Sequence, residues 1–393
     1  MNDFSTLLRF YFCDNNNLQY CKDNVIDKIY NLPGGKLFLE KLYNLYKNVG
    51  NENGKYVGVV IIKDKANNPY DGELYNRIIE DYSNNNCVLI FYYSDKLFPL
   101  EKSIHYKELC SISSKFGSDN LRVVFSDHII NNEVKDKIPF KFYSTLCLAD
   151  TTVQRSITKH LLPIFNNQLN FKRQKHFLFL NGSAHKHRID FAYKMHKKNL
   201  LKYCDWSFND FYGEIDQWKG VYWDEYESVD FFKLLPKNID KLNRYSGSGG
   251  DINLSLYFNS YFDIVSFSHF DFIDDEEYKF VFLCEKIWKT IISFKPFIII
   301  APSNTLKVLN RLGFETFPEV VDENYDNIES DTERLNTILN EVKKLSEKSL
   351  EEMDEIFKEV KGKLINNHKK LINNIHYFDD NIYGELTKWI NNI

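Results

Sequence analysis

The chain has 393 residues and a formal net charge of −5 at pH 7, and 27% of its residues are charged. This balance argues against a generically basic nucleic-acid coat protein, and an aromatic content of 16% argues against extended disorder. The length exceeds what one ordinary hydrophobic core organises, so the sequence predicts two globular domains.

The seven cysteines contain no Cys-x-x-Cys pair and lie mostly within apolar runs. An odd number of such cysteines is typical of reduced, buried thiols, which predicts a cytoplasmic protein. No window approaches the roughly 20 apolar residues that cross a bilayer, so we expect no membrane span.

Strand and helix patterns alternate through the first part of the chain, which predicts a mainly parallel sheet with helices on its faces. The predicted strands are residues 7–12, 57–62, 88–93, 121–125 and 142–148, with helical spacing at 37–47, 73–82 and 104–116. The apolar rhythm breaks between residues 161 and 175, where we place a domain boundary. The predicted domains are 1–168 and 169–348, followed by a helical tail, 349–393.

The stretch 279–302, KFVFLCEKIWKTIISFKPFIIIAP, carries two buried-strand patterns, 280–283 and 297–300, with room for one short helix between them. Glu285 and Lys286 fall where the first strand ends and the helix begins, which is a favoured place to hold an anion. A carboxylate suits ribose hydroxyls and an ammonium suits phosphates. A surface ion pair at a helix start explains the same spacing.

A second informative stretch begins at Lys175 with KHFLFLNGSAHKHRIDFAYKMHKK. It predicts a strand at 177–180, a tight turn at 181–184 and a helix at 188–198. The candidate ligand-binding residues there are Asn181, Gly182, Ser183 and Arg188: Gly182 permits close backbone approach, Ser183 can cap the helix, and Arg188 can grip phosphate oxygens bidentately.

Both stretches resemble the donor-binding domain of fucosyltransferase-like glycosyltransferases, including virus-encoded relatives. In that group a Glu-Lys pair opens a helix, and a Lys-aromatic strand ends in Asn before an Arg begins the next helix. Cys284 stands where the group usually has Thr or Ser. The resemblance covers residues 175–317 and implies a GT-B fold: two Rossmann-like domains facing across a cleft, with terminal helices packing back.

The resemblance also implies the chemistry. A nucleotide-sugar donor would bind with its diphosphate on Arg188 and Lys286, and Glu285 would hold the ribose. The chain has no Asp-x-Asp pair, so we expect metal-independent sugar transfer without a cofactor. Attack at the anomeric carbon from the face opposite the diphosphate would invert the configuration. Within such an enzyme the N-terminal half would supply the base. Asp95, Asp127 and His128 are the candidates, although each is equally typical of a helix cap or turn.

The acceptor stays open at this stage, and so does the oligomeric state. The resemblance points to a glycan, whereas basic residues around 172–198 and the viral relatives point to a hydroxylated DNA base, with action in the host cytoplasm. Those basic residues equally suit the donor diphosphate or a solvated helix face. A zinc site on His185, His187 and His196 lacks supporting ligands. A catalytically inactive nucleotide- or sugar-binding protein is the alternative function.

About the last 60 residues, which include the tail, are predicted to be helical from their apolar spacing. Two series of apolar residues each fall on one helical face, and a last amphipathic piece covers 382–393. Such helices suit either packing on the N-terminal domain or contact with a partner. The two series are Leu335, Ile338, Leu339, Val342 and Leu345, then Leu350, Met353, Phe357, Val360 and Leu364.

Overall fold

A computed structural model gives the architecture of the chain. It describes residues 8–14, 17–21, 56–62, 87–93, 110–111, 113–114, 117, 119, 121–126, 128–130, 141–146, 149, 152–153, 156–157, 161–209, 229–239, 252–270 and 280–391. The predicted helices at 37–47 and 73–82, and nearly all of 104–116, lie outside these residues.

The chain divides into two compact units. Unit 1 comprises Met1–Asp150, Ile273–Leu283 and Asn374–Ile393, and unit 2 comprises Thr151–Phe272 and Cys284–Asn373. Unit 2 therefore begins before the boundary expected at 161–175, and the end of the predicted tail belongs to unit 1.

Unit 1 contains a mostly parallel six-stranded sheet of order β2-β1-β3-β4-β5-β7. Only β2 runs antiparallel, against β1, within this sheet. A separate pair, β6 with β11, is also antiparallel. The strands are β1 (Leu8–Asp14), β2 (Asn17–Cys21), β3 (Tyr56–Ile62), β4 (Cys87–Tyr93), β5 (Leu121–Ser126), β6 (His128–Ile130), β7 (Lys141–Thr145) and β11 (Phe280–Phe282).

Unit 2 contains a four-stranded sheet in which every strand is parallel to its neighbour, in the order β12-β10-β8-β9. All four strands consist mainly of buried residues, as expected for a parallel sheet covered on both faces. They are β8 (Lys175–Asn181), β9 (Cys204–Phe208), β10 (Ser260–Ser266) and β12 (Phe297–Ile300). The α/β class with parallel sheets, expected from alternation, is confirmed.

The described α-helices are α1 (Leu162–Gln168), α2 (Lys186–Lys197), α3 (Val229–Phe232), α4 (Leu254–Asn259), α5 (Glu285–Ile292), α6 (Thr305–Arg311), α7 (Asp331–Ser346) and α8 (Leu350–Asn391). Among the described residues, no helix combines the length and apolarity needed to cross a membrane. The tail's last amphipathic piece is the continuation of one 42-residue helix, α8.

Helices α2 and α5 cover opposite faces of the unit 2 sheet. Arg188 of α2 contacts the Ser266 side chain of β10, whereas Thr290 of α5 donates to the Asp263 carboxylate of the same strand. Residues three apart on a strand point to opposite faces, so the two helices must lie on opposite sides.

Helices α7 and α8 bury the apolar faces that the sequence predicts. Leu335, Ile338, Leu339, Val342 and Leu345 of α7 are all buried. In α8 the buried members of the predicted series are Met353, Phe357, Val360 and Leu364, whereas Leu350 is partly exposed. Burying side chains of this size contributes about 1.5–3 kcal/mol each before entropy is counted, so these faces hold both helices on unit 2.

A buried lysine closes the amino-terminal edge of the unit 2 sheet. The ammonium of Lys295 donates to the carbonyl oxygens of Ser260, at 2.8 Å, and Tyr257, at 3.3 Å. Burial lowers the pKa of Lys295 to about 7, while the negative charge of Asp263 opposes that shift. Lys295 thus stabilises the amino-terminal edge of the sheet. Ligands of such sheets bind at the opposite, carboxyl edge.

Helix α8 is also held by a buried histidine. The His368 ring stacks on Phe294 with centroids 3.8 Å apart, and its Nδ1–H donates to the Ile292 carbonyl at 2.8 Å. Burial lowers the pKa of His368 from 6.5 to about 4. Because the unfolded chain takes up a proton near pH 6.5 and the folded chain only near pH 4, this group makes the fold less stable as pH falls through that window.

We therefore expect His368→Gln to flatten the acid limb of the stability curve. Between pH 6.5 and 4 the wild type should lose up to about 3 kcal/mol through this residue, from the 1.36 kcal/mol that accompanies each pKa unit. Urea unfolding at pH 7 and pH 5 measures the difference, with His196→Gln on partly exposed α2 as the control. An identical pH dependence in His368→Gln and wild type would contradict this account.

Candidate functional site

The strand order of unit 2 creates a topological switch point between β8 and β10. From β8 the chain passes through α2 to β9 on one side, whereas β10 lies on the other side of β8 and is extended outward by β12. Strands β8 and β10 pair from Lys175↔Ser260 to Leu178↔Asp263, and each continues three residues further. Sheets of this kind bind ligands outside the carboxyl ends of the strands at the switch point. Asn181 and Ser266 are the residues at those ends.

Arg188 lies at this edge and is 2% exposed. Its guanidinium makes five hydrogen bonds, which match the five donors of the group. Nε reaches Ser266 Oγ at 3.3 Å, and one terminal nitrogen reaches Ser183 Oγ at 2.7 Å and the Ser183 carbonyl at 3.2 Å. The other reaches the carbonyls of Ser266 at 3.3 Å and Phe267 at 2.8 Å. Arg188 thus ties the turn after β8 to the end of β10.

Lys286 approaches the same place from α5. Its Nζ donates to the Ser266 carbonyl at 2.7 Å, the oxygen that Arg188 also contacts. The structure therefore brings together the two cations that are nearly a hundred residues apart in sequence. Lys286 and the adjacent Glu285 are only partly buried, unlike Arg188.

The helix starts at this edge differ from the sequence prediction. Helix α2 begins at Lys186, two residues before the expected start, and its N-cap is His185. Ser183 does not cap the helix, because its hydroxyl accepts from Arg188. Cys284 is the N-cap of α5. At neither N-cap, Cys284 or His185, does the side chain make a capping hydrogen bond to the first turn of the helix.

Both helix N-termini are electropositive. Lys186 and Arg188 lie in the first turn of α2, which has no acidic residue, and Lys286 lies in the first turn of α5 beside Glu285. A cation near a helix N-terminus opposes the helix dipole and costs about 0.3–1 kcal/mol. Together with Arg188 and Lys286 meeting at one carbonyl, this arrangement favours an anionic ligand.

Two other ionisable groups at the edge stay neutral near pH 7. Burial, reinforced by the charge of Arg188, lowers the pKa of His187 well below 6.5. Its Nε2–H therefore donates to the Phe267 carbonyl at 3.0 Å. Burial raises the pKa of Cys284 to about 11, so this residue is a thiol rather than a nucleophilic thiolate.

Sequence reasoning missed a second buried arginine at this edge, Arg334 of α7. It is 1% exposed and donates to the carbonyls of Ala301 after β12, at 3.1 Å, and Phe270, at 2.8 Å. Further bonds reach Ile328 and Glu329, and Asp331 is its ion-pair partner. The Phe270 ring lies between this guanidinium, 4.3 Å away, and the stacked His187 ring, with centroids 5.2 Å apart. Only its place in the first turn of an acidic helix start distinguishes Arg334 in the sequence.

Asn181 ends β8 on the face that α2 covers. Phe179, two residues earlier on the same face, packs edge-on against Phe191 of α2 with ring centroids 5.7 Å apart. Asn181 is 1% exposed, and neither its amide nitrogen nor its amide oxygen has a hydrogen-bond partner within the structure. The adjacent Gly182 is partly exposed at the start of the turn.

The three base candidates belong to unit 1. Asp95 and Asp127 lie outside the described residues, and His128 is the first residue of β6, where its backbone pairs with Phe282. The strands that precede Asp95 and Asp127, β4 and β5, are parallel neighbours. The catalytic role of Asp95, Asp127 and His128 stays a prediction.

Comparison with known proteins adds no relative: no family model matches this chain, and neither a curated protein nor a solved structure matches it. The site is therefore defined by its own geometry.

Arg334→Met should destabilise the protein by about 3–5 kcal/mol, because it leaves buried carbonyls and the Asp331 carboxylate without their donor. Urea unfolding followed by tryptophan fluorescence measures the loss. Arg311→Met, at an exposed position of α6, is the matched control and should stay within about 0.5 kcal/mol of wild type. Equal midpoints for the two variants would show that Arg334 does not hold this edge together.

Proposed function

We propose that this protein is a glycosyltransferase that uses a nucleoside-diphosphate sugar as donor, bound at the switch point of unit 2. The observation that carries the proposal is that Arg188 and Lys286 meet at the Ser266 carbonyl, at the carboxyl edge of a parallel sheet. The motif resemblance to fucosyltransferase-like enzymes supports the same assignment.

The geometry divides the work between the two cations. Every guanidinium donor of Arg188 has an acceptor inside the protein. This buried residue therefore shapes the site and adds positive charge to it without needing to contact the ligand. Lys286 is partly exposed and an ammonium has three donors, so its side chain can turn toward a diphosphate. Direct contact of Arg188 with phosphate stays a prediction.

The proposed reaction is a single displacement. The acceptor hydroxyl loses its proton to a carboxylate of the N-terminal half, Asp95 or Asp127, or to His128, and its oxygen attacks the anomeric carbon. The bond from that carbon to the diphosphate breaks, and its electron pair leaves with the nucleoside diphosphate. Attack opposite the leaving group inverts the anomeric configuration.

Charge develops on the leaving diphosphate, and Lys286 with the N-terminus of α5 would stabilise it without a divalent cation. Glu285, the first residue of α5, would accept hydrogen bonds from the ribose hydroxyls. The alternative is a nucleotide- or sugar-binding protein without transferase activity, which the same donor site would serve equally well.

Lys286→Ala should lower donor turnover by about 10- to 1000-fold, as expected when one transition-state donor is lost. Nucleoside diphosphate release from GDP-fucose, GDP-mannose, UDP-glucose and UDP-N-acetylglucosamine measures the rate. Lys369→Ala, an exposed cation on α8, is the matched control and should turn over like wild type. Binding without turnover in wild type selects the inactive binder, and unchanged turnover in Lys286→Ala refutes the assignment of Lys286.

Salt dependence distinguishes the two acceptor classes. If DNA carrying hydroxylated bases is the acceptor, affinity should fall roughly tenfold between 50 and 200 mM salt for every two phosphates contacted, because counterions are released. A neutral oligosaccharide should bind almost equally at both concentrations. Lys197 and Lys198 are exposed at the end of α2, so replacing both by Ala should reduce the salt slope if DNA binds there. A flat salt response would exclude the DNA acceptor.

A further inference from the structure

Two buried polar side chains at the end of β8, those of Ser183 and Asn181, differ in their hydrogen bonding. The Ser183 hydroxyl accepts from Arg188 at 2.7 Å, so it belongs to the framework of the turn. The Asn181 carboxamide, two residues earlier, is buried with neither polar atom hydrogen-bonded inside the structure. An unsatisfied buried polar group costs about 1–3 kcal/mol, which makes such a group a candidate for ligand binding.

The place of Asn181 adds an independent indication. It is the last residue of β8 at the switch point, on the face covered by α2, and α2 begins five residues later without a side-chain cap. A ligand at this crevice would meet both the helix N-terminus and the carboxamide.

The chemistry of a carboxamide limits the group that it can recognise. Its nitrogen donates and its oxygen accepts, so a full match needs a partner that also does both. Phosphate oxygens at neutral pH mainly accept and would leave the amide oxygen facing negative charge. Hydroxyl groups donate and accept, and neighbouring hydroxyls on a sugar ring present both functions to one carboxamide.

A nucleotide-sugar donor contains two sugars, and the order of the elements indicates which of them Asn181 would contact. Asn181 ends β8, the cations meet at the end of the neighbouring β10, and Glu285 begins α5, which covers the opposite face of the sheet. In a nucleoside-diphosphate sugar the diphosphate lies between the ribose and the transferred sugar. With the ribose at Glu285 and the diphosphate at Lys286, the transferred sugar falls on the side of Asn181.

We propose that Asn181 is a specificity-determining residue whose carboxamide binds hydroxyl groups of the transferred sugar. This inference rests on the proposed function, because it presupposes a nucleotide-sugar donor. The carboxamide is shielded from solvent in the structure, so a sugar can reach it only if the side chains that cover Asn181 move.

The test compares Asn181→Leu with wild type by calorimetric titration of two ligand pairs, GDP-fucose with GDP and UDP-glucose with UDP. Leu has the same branched shape and the same number of side-chain heavy atoms, and it needs no hydrogen bond. For the pair that wild type binds, the variant should bind the nucleotide sugar about 5- to 100-fold more weakly, from two lost hydrogen bonds, and the nucleoside diphosphate within about twofold of wild type. Asn340→Leu, at an exposed position of α7, is the matched control.

The other outcomes are separable. Equal weakening for both members of a pair would place Asn181 at the nucleotide and overturn the assignment to the transferred sugar. Unchanged binding of the nucleotide sugar would overturn the proposal, and an equal or higher unfolding temperature beside it would show that the carboxamide does not stabilise the fold either. Asn181→Ala repeats the comparison if Asn181→Leu fails to fold. Wild type that binds none of these four ligands, nor GDP-mannose nor UDP-N-acetylglucosamine, would instead defeat the proposed function.

Discussion

The backbone that leaves the end of β10 is held by side-chain donors, three of them cations, and the unit 2 site depends on this arrangement. The carbonyls of Ser266, Phe267 and Phe270 accept from Arg188, Lys286, His187 and Arg334. A buried carbonyl without a donor would cost about 1–3 kcal/mol, so the donors decide where this segment can lie. Because they come from α2, α5 and α7, one short segment joins helices from both faces of the sheet.

The same arrangement gives the carboxyl edge its electrostatic character. Carbonyl dipoles attract the cations, but they do not cancel a full positive charge, and the N-termini of α2 and α5 add to the positive potential. An anion at the crevice would relieve the repulsion between Arg188 and Lys286. At the amino-terminal edge, burial lowers the pKa of Lys295 to about 7, so this lysine carries less than a full charge at neutral pH. The proposed anion site thus shares side chains with the framework that stabilises the fold.

Local patterns in the sequence predicted most strands of the two sheets and the buried faces of α7 and α8, since apolar periodicity reflects burial directly, but they did not predict β2 or β9. Long-range pairing was not predictable in this way. Phe280–Phe282 has the apolar pattern of a strand, yet it pairs antiparallel with β6 in unit 1 rather than joining the unit 2 sheet. The start of α6 depends on a distant residue in the same way, because Asp326 accepts from the backbone N–H groups of Leu306 and Lys307. Arg334 was equally hidden because its carbonyl partners are distant in sequence.

The two cations predicted as phosphate ligands differ in a way that residue chemistry explains. A guanidinium has five donors in one rigid plane, so it suits acceptors fixed by a strand end and a turn, and Arg188 has such acceptors. An ammonium on a flexible stem can keep one bond to Ser266 while its other donors turn toward a ligand. Exchanging Arg188 and Lys286 would put a rigid guanidinium at the start of α5. It would also remove the hydrogen bonds that join the turn after β8 to the end of β10. The sequence shows two basic residues at two helix starts, whereas the structure surrounds Arg188 with protein acceptors and leaves Lys286 partly exposed.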